Sequence, residues 1–154
     1  MTDALERKVI RLNDEIRDEF ISILMQYLRA DNLTLDQWVL LITVNRNPGI
    51  NQKNLAQIVR KDRPSVTRIL DGLEKKQLII RKREEKDRRA FLLYVTDTGL
   101  GLLDKLNGCT EKIFIQIFNE IPKEELEVMI SIFEKMKANI VLMQQKQVNI
   151  HEQD

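Results

Sequence analysis

The chain has 154 residues, enough for one domain's core and little more. Hydrophobic residues make up 43% and charged residues 32%, the composition of a chain that folds, while 25 basic against 24 acidic residues leave a net charge of only +1. One cysteine, Cys109, excludes an internal disulfide and a cysteine-based zinc cluster. The longest apolar runs are too short to span a membrane, and Met1 to Glu6 lacks the basic-then-apolar order of a signal peptide, so a cytoplasmic protein with no membrane partner is expected.

The same counts give an enzyme no support. Nucleophilic catalysis by Ser or Cys usually needs a positioned imidazole, and the one histidine, His151, lies in the polar C-terminal segment. The five glycines form no phosphate-binding loop, and Gly99-Leu100-Gly101 lacks both the third glycine and the surrounding βαβ unit. No catalytic residue, metal ligand or cofactor is expected.

From Leu5 to Arg29, apolar residues recur in steps of three and four, which predicts a long amphipathic helix. Thr34 and Gln37 have capping-box spacing, and a second helix is expected from Leu35 to Arg46, stopped by Asn47-Pro48-Gly49. Asn51 can cap a short third helix, Gln52 to Val59, with Leu55, Ile58 and Val59 as its buried side. Asp62 can cap a fourth beginning near Arg63, with Pro64 in the first turn, where its missing N–H costs nothing. In that helix Val66, Ile69, Leu70 and Leu73 share one sector, and Pro64, Thr67, Arg68, Asp71 and Lys75 share the other.

Residues 78–82 and 91–96 are rich in β-branched and apolar residues and predict two strands joined by the charged tip 83–90. Two more helices are expected, Thr98 to about Phe118 and Lys123 to about Gln145, with a break near Pro122. The expected fold is mainly α with a small β-hairpin wing, in the order α-α-α-α-β-β-α-α. It divides the single chain, 1–154, into a winged helix-turn-helix region at 34–97, dimerisation helices at 1–33 and 98–148, and a flexible tail at 149–154.

Two short helices and a charged hairpin in this order are the layout of a winged helix-turn-helix, whose second helix enters the major groove. Residues 51–90 hold thirteen basic and six acidic residues, a surplus of +7, and the rest of the chain is −6. The near-neutral total therefore conceals a basic region suited to DNA phosphate.

Residues 33–41, the run Pro64 to Ile79, and then Arg81, Asp87-Arg88-Arg89-Ala90 and Leu93 to Gly99 together resemble the MarR (multiple antibiotic resistance regulator) family of transcription factors, and the likeness covers essentially the whole chain. The resemblance implies a homodimer held by its first, fifth and sixth helices. Two recognition helices about one DNA turn apart then require a roughly palindromic operator. Ser65, Thr67 and Arg68 are expected at base edges or phosphates, and Lys53 and Arg63 at phosphates. In the wing, Arg88 is expected in the minor groove, with Lys86 and Arg89 also at DNA and with Asp87 pairing with Arg89 across the tip. Lys82 to Lys86 replaces the proline or glycine that many relatives carry there.

The family's effectors are commonly small aromatic or phenolic anions, and Arg17, Phe20, Tyr27 and Trp38 are the candidate pocket residues. Cys109 has no adjacent basic residue to activate it, so a redox role has little support. The expected function is a homodimeric, sequence-specific regulator, a repressor released by a small effector. The alternative is a winged-helix adaptor that binds protein and not DNA; the basic region argues against it.

Overall fold

The computed structural model describes residues 4–83 and 91–151, with side chains described as far as Gln145. In chain order the elements are α1 (Ala4–Ala30), α2 (Leu35–Arg46), β1 (Ile50–Asn51), α3 (Gln52–Val59), α4 (Arg63–Lys75), β2 (Ile79–Arg83), β3 (Phe91–Val95), α5 (Asp97–Ile117) and α6 (Lys123–His151). They fall into two compact units, residues 1–112 and 113–154.

Local hydrogen bonds explain where the short helices begin. The Thr34 hydroxyl accepts from the Gln37 amide at 3.1 Å, and the Gln37 side chain accepts from the Thr34 amide at 3.3 Å, so two free donors of α2 are satisfied reciprocally. Asn51 caps α3 by accepting from the Asn54 amide at 2.9 Å. Asp62 caps α4 by accepting from the Ser65 amide at 2.8 Å. Helix α3 ends at Arg60, whose left-handed backbone (φ 53°, ψ 44°) turns the chain toward α4.

The hairpin of β2 and β3 has a third partner that the sequence did not reveal. The sheet order is β1-β3-β2, with Ile50 opposite Leu93 and, on the other side of β3, Ile79 opposite Val95 through to Arg83 opposite Phe91. Gly49 makes the turn into β1 with φ +80°, a conformation that favours glycine, and its amide donates to the Leu93 carbonyl at 2.9 Å. The sheet is thus sewn to the segment that precedes α3, and wing and helix-turn-helix form one body.

The core of the first unit gathers Leu24 and Leu28 of α1, Leu40, Leu41 and Val44 of α2, Leu55 of α3, Val66, Leu70 and Leu73 of α4, Leu93 of β3, and Leu103 and Leu106 of α5. Burying a side chain of this size contributes about 1.5–3 kcal/mol, which is what holds α4 in place. One expectation needs correction: Ile58 is 54% exposed, and Ala56 takes its place in the core. The inward direction of α3 runs between Leu55 and Ala56, and at about 100° per residue Ile58 falls outside that sector.

Two polar links tie the corner between α1 and α2 to the rest of this unit. The Lys105 ammonium of α5 meets the Asp31 carboxylate at 2.6 Å. Lys76, at the end of α4, donates to the Asn32 carbonyl and, at 2.8 Å, to the Gln37 side chain. In the second unit α6 continues through His151, beyond the end expected near Gln145, so residues 149–151 of the expected tail are helical. Its apolar residues Met129, Ile130, Phe133 and Ile140 are exposed on the single chain.

Candidate nucleic-acid interface

Helix α4 stands on its buried stripe of Val66, Leu70 and Leu73, with Ile69 half-buried beside it. The opposite side carries Pro64, Arg68, Asp71 and Lys75, all exposed, and Ser65 and Thr67 are half-buried. The amide and side-chain hydrogen bonds from Ser65, with the positive charge of Arg68, hold the Asp62 carboxyl below its ordinary value of 3.8. The cap therefore stays ionised at neutral pH and fixes where the recognition helix starts.

The basic surplus of residues 51–83 divides into engaged and free cations. Lys61 pairs with Asp36 at 3.0 Å, and Lys82 lies over the Tyr94 ring with its nitrogen 5.1 Å from the centroid. Arg81, on β2, meets Asp71 at 2.6 Å and Glu74 at 2.7 Å, both on α4. That double contact fastens the root of the wing to the recognition helix and neutralises Arg81. Lys53, Arg60, Arg63 and Arg68 are exposed and make no ion pair with any acid among the described residues. Uncompensated charge is thus left on α3, in the turn, and at the start of α4, where a helix end already favours anions.

Thr67 is the expected site residue whose surroundings are most definite. Its hydroxyl donates to the Arg63 carbonyl at 2.9 Å and accepts from the Gln52 side-chain amide. Gln52 and the double contact of Arg81 went unrecognised in the sequence. Partners fifteen and seven to ten positions apart leave no local signal. Lys86, Asp87, Arg88 and Arg89 of the wing tip lie outside the described residues.

The candidate effector residues are not gathered around one cavity by their contacts. Phe20 and Trp38 both pack against the core of the first unit. Tyr27 is 40% exposed, and the Arg17 guanidinium is taken up by Asp14 at 3.3 Å and Asp18 at 3.2 Å on its own helix. The Trp38 indole N–H is buried and has no hydrogen-bond partner, the one such side-chain atom among the described residues. A separate cleft of about 360 Å³ lies between the start of α2 and the first turns of α4, lined by Thr34, Asp36, Lys61, Ser65, Arg68 and Ile69 among others. Cys109 is half-buried. Among the described residues, no helix is long and apolar enough to cross a membrane.

A capped pair of helices at a tight turn, with a hairpin fastened to the second of them, defines a winged helix-turn-helix domain. The MarR family's sequence model matches residues 33–91, and this winged-helix region belongs to the MarR family. Over nearly its full length the chain is similar to solved structures of the same architecture. A protein of unknown function from Listeria innocua is 27% identical, with 88% of this chain and 94% of that one covered and a TM-score of 0.72. An uncharacterised SlyA-like transcription regulator from Listeria monocytogenes is 26% identical, covering 91% and 90%, with a TM-score of 0.72. The fold is also that of S. aureus MepR in its DNA complex, 24% identical over 84% and 96% of the two chains, with a TM-score of 0.73.

Proposed function

We propose that this chain is a sequence-specific DNA-binding transcription regulator acting as a cytoplasmic homodimer: a repressor on a roughly palindromic operator, released by a small aromatic or phenolic effector. It is read as a regulator and not as an enzyme. The observation that carries the reading is the sorting of charge on the winged helix-turn-helix. Around α4, Lys61, Arg81 and Lys82 are engaged by Asp36, by Asp71 with Glu74, and by the Tyr94 ring, and the exposed Lys53, Arg63 and Arg68 make no ion pair among the described residues. Thirteen helical residues give α4 a length of about 20 Å, sufficient to lie in a major groove about 12 Å wide. Arg68 and Ser65 are assigned to base edges, with Thr67 beside them, and Lys53 and Arg63 to phosphates. Lys86, Arg88 and Arg89 are assigned to DNA from the wing, with Asp87 steadying the tip.

Homodimerisation is supported by apolar residues that a single chain leaves in water. On α1 these include Leu5, Leu12 and Ile16, at 66%, 41% and 61% exposure, and on α6 Ile130 and Ile140. Stripes of this kind mark an interface. The unsatisfied Trp38 N–H supports an effector that brings a hydrogen-bond acceptor, and Arg17, Phe20 and Tyr27, which the contacts of one chain do not gather with Trp38 around a cavity, are assigned to the same effector. The DNA reading is tested with Arg68→Ala and Arg88→Ala, measured for thermal stability and for affinity to promoter-derived duplexes. Both variants are expected to melt with the wild type and to bind DNA at least tenfold more weakly, about what loss of one good charged contact removes. Unchanged affinity in both would refute it.

A further inference from the structure

Thr67 was expected to offer its hydroxyl to DNA, and its contacts leave that hydroxyl little to offer. A threonine hydroxyl has one hydrogen and two lone pairs. The hydrogen goes to the Arg63 carbonyl one turn back, at 2.9 Å, and one lone pair takes the side-chain N–H of Gln52 from the first position of α3. In helices threonine divides between two side-chain rotamers because its oxygen can bond the preceding turn. Here a second bond, from another helix, selects one of them. What these two bonds leave uncommitted is one lone pair and the γ-methyl, on a half-buried residue one position before the exposed Arg68.

We propose that Thr67 reads DNA through its methyl group, set against the 5-methyl of a thymine, and that Gln52 is the positioning residue that holds it in that rotamer. Apolar contact with the thymine methyl distinguishes T from every other base in the major groove, so a threonine whose hydroxyl is committed elsewhere still carries sequence information. Gln52 contributes by fixing an orientation, and it ties the spacing of α3 and α4 to readout. The inference rests on the DNA-binding reading above and adds which atom of Thr67 does the reading.

A deoxyuridine scan tests it with the wild-type protein. A duplex selected from a random pool is remade with each thymine replaced in turn by deoxyuridine, which lacks only the 5-methyl. One symmetry-related position is expected to lose about fourfold in affinity per half-site, the worth of one buried methyl-sized group. Thr67→Ser, which keeps the hydroxyl and deletes the methyl, is expected to be indifferent to deoxyuridine there. Thr67→Val, which keeps a methyl and deletes the hydroxyl, retains the preference. Gln52→Ala narrows the preference while staying folded, with a melting temperature lower by no more than a few degrees. No sensitive position in the scan, or a preference lost in Thr67→Val and kept in Thr67→Ser, overturns the methyl assignment while DNA binding stands. A full preference in Gln52→Ala overturns its positioning role. Failure of the wild type to bind any duplex overturns the DNA-binding reading, and this inference with it.

Discussion

Replacing Arg81 with Ala tests whether the wing root is fastened to the recognition helix as the structure shows. The Arg81 side chain is 19% exposed and donates at 2.7 Å to Glu74 and at 2.6 Å to Asp71, which are 41% and 58% exposed. An exposed ion pair contributes about 0–1 kcal/mol, and a hydrogen bond to a charged group about 1.5–3 kcal/mol when shielded. These carboxylates rehydrate once the guanidinium is gone, so each contact belongs near the upper end of the exposed range. With the packing of the arginine stem, the loss comes to about 2 kcal/mol. For a chain of this size that lowers the melting temperature by about 4–8 °C at fixed protein concentration. A double-mutant cycle with Asp71→Asn should show coupling of about 0.5–1 kcal/mol. Because Arg81 is neutralised within the protein, its variant should also leave the salt dependence of DNA affinity unchanged. A melting temperature within 1 °C of wild type, roughly a quarter of the smallest shift expected, together with zero coupling, would refute the reasoning.

Arg63→Ala is expected to weaken binding to all duplexes alike and to reduce the slope of log affinity against log salt by about 1, measured between low and moderate salt. Arg68→Ala should in addition relax preference at one operator position, visible on repeating the selection with the variant. Asp62 has a folded-state pKa below its ordinary value, so its contribution to stability is complete above the ordinary carboxylate range and is lost as pH falls through the lowered value. Asp62→Asn cannot ionise, so the gap in urea midpoint between wild type and variant should close as the solution is acidified. Gly99→Ala would drive a methyl into the Leu78 carbonyl and to 2.6 Å from the Val95 side chain, and it should prevent folding or lower the melting temperature steeply, whereas Gly101→Ala meets open space and should stabilise α5 by about 0.5–1 kcal/mol in the same melt.

Much of the helix-turn-helix was legible because its signals are local. Thr34 with Gln37, Asn51 with Asn54, and Asp62 with Ser65 each satisfy a backbone amide three residues away, so residue type and spacing were enough to place the starts of α2, α3 and α4. The two hairpin strands were legible from their composition. Strand β1 was not, since two residues carry no periodicity and Asn51 reads first as a cap. Ile58 misled for a related reason: an eight-residue helix has too few apolar positions to fix its inward direction, and what decides it is the packing of Leu55 and Ala56. The end of α6 ran past Gln145 because polar residues there supply helix propensity without an apolar stripe. At the candidate interface, residue type showed which side chains could meet DNA. Which cations are already spent, and that the Thr67 hydroxyl is committed to Arg63 and Gln52, depend on contacts across the fold.

Dimeric, sequence-specific binding of DNA by α4 and the wing is tested most directly by selection from a random duplex pool, with the affinity of the selected site followed as salt is raised. A two-fold symmetric consensus is predicted, with half-sites about one helical turn apart, bound by two chains and losing affinity steeply with salt. No binding to any duplex at low salt, or binding with no preferred sequence, would contradict it.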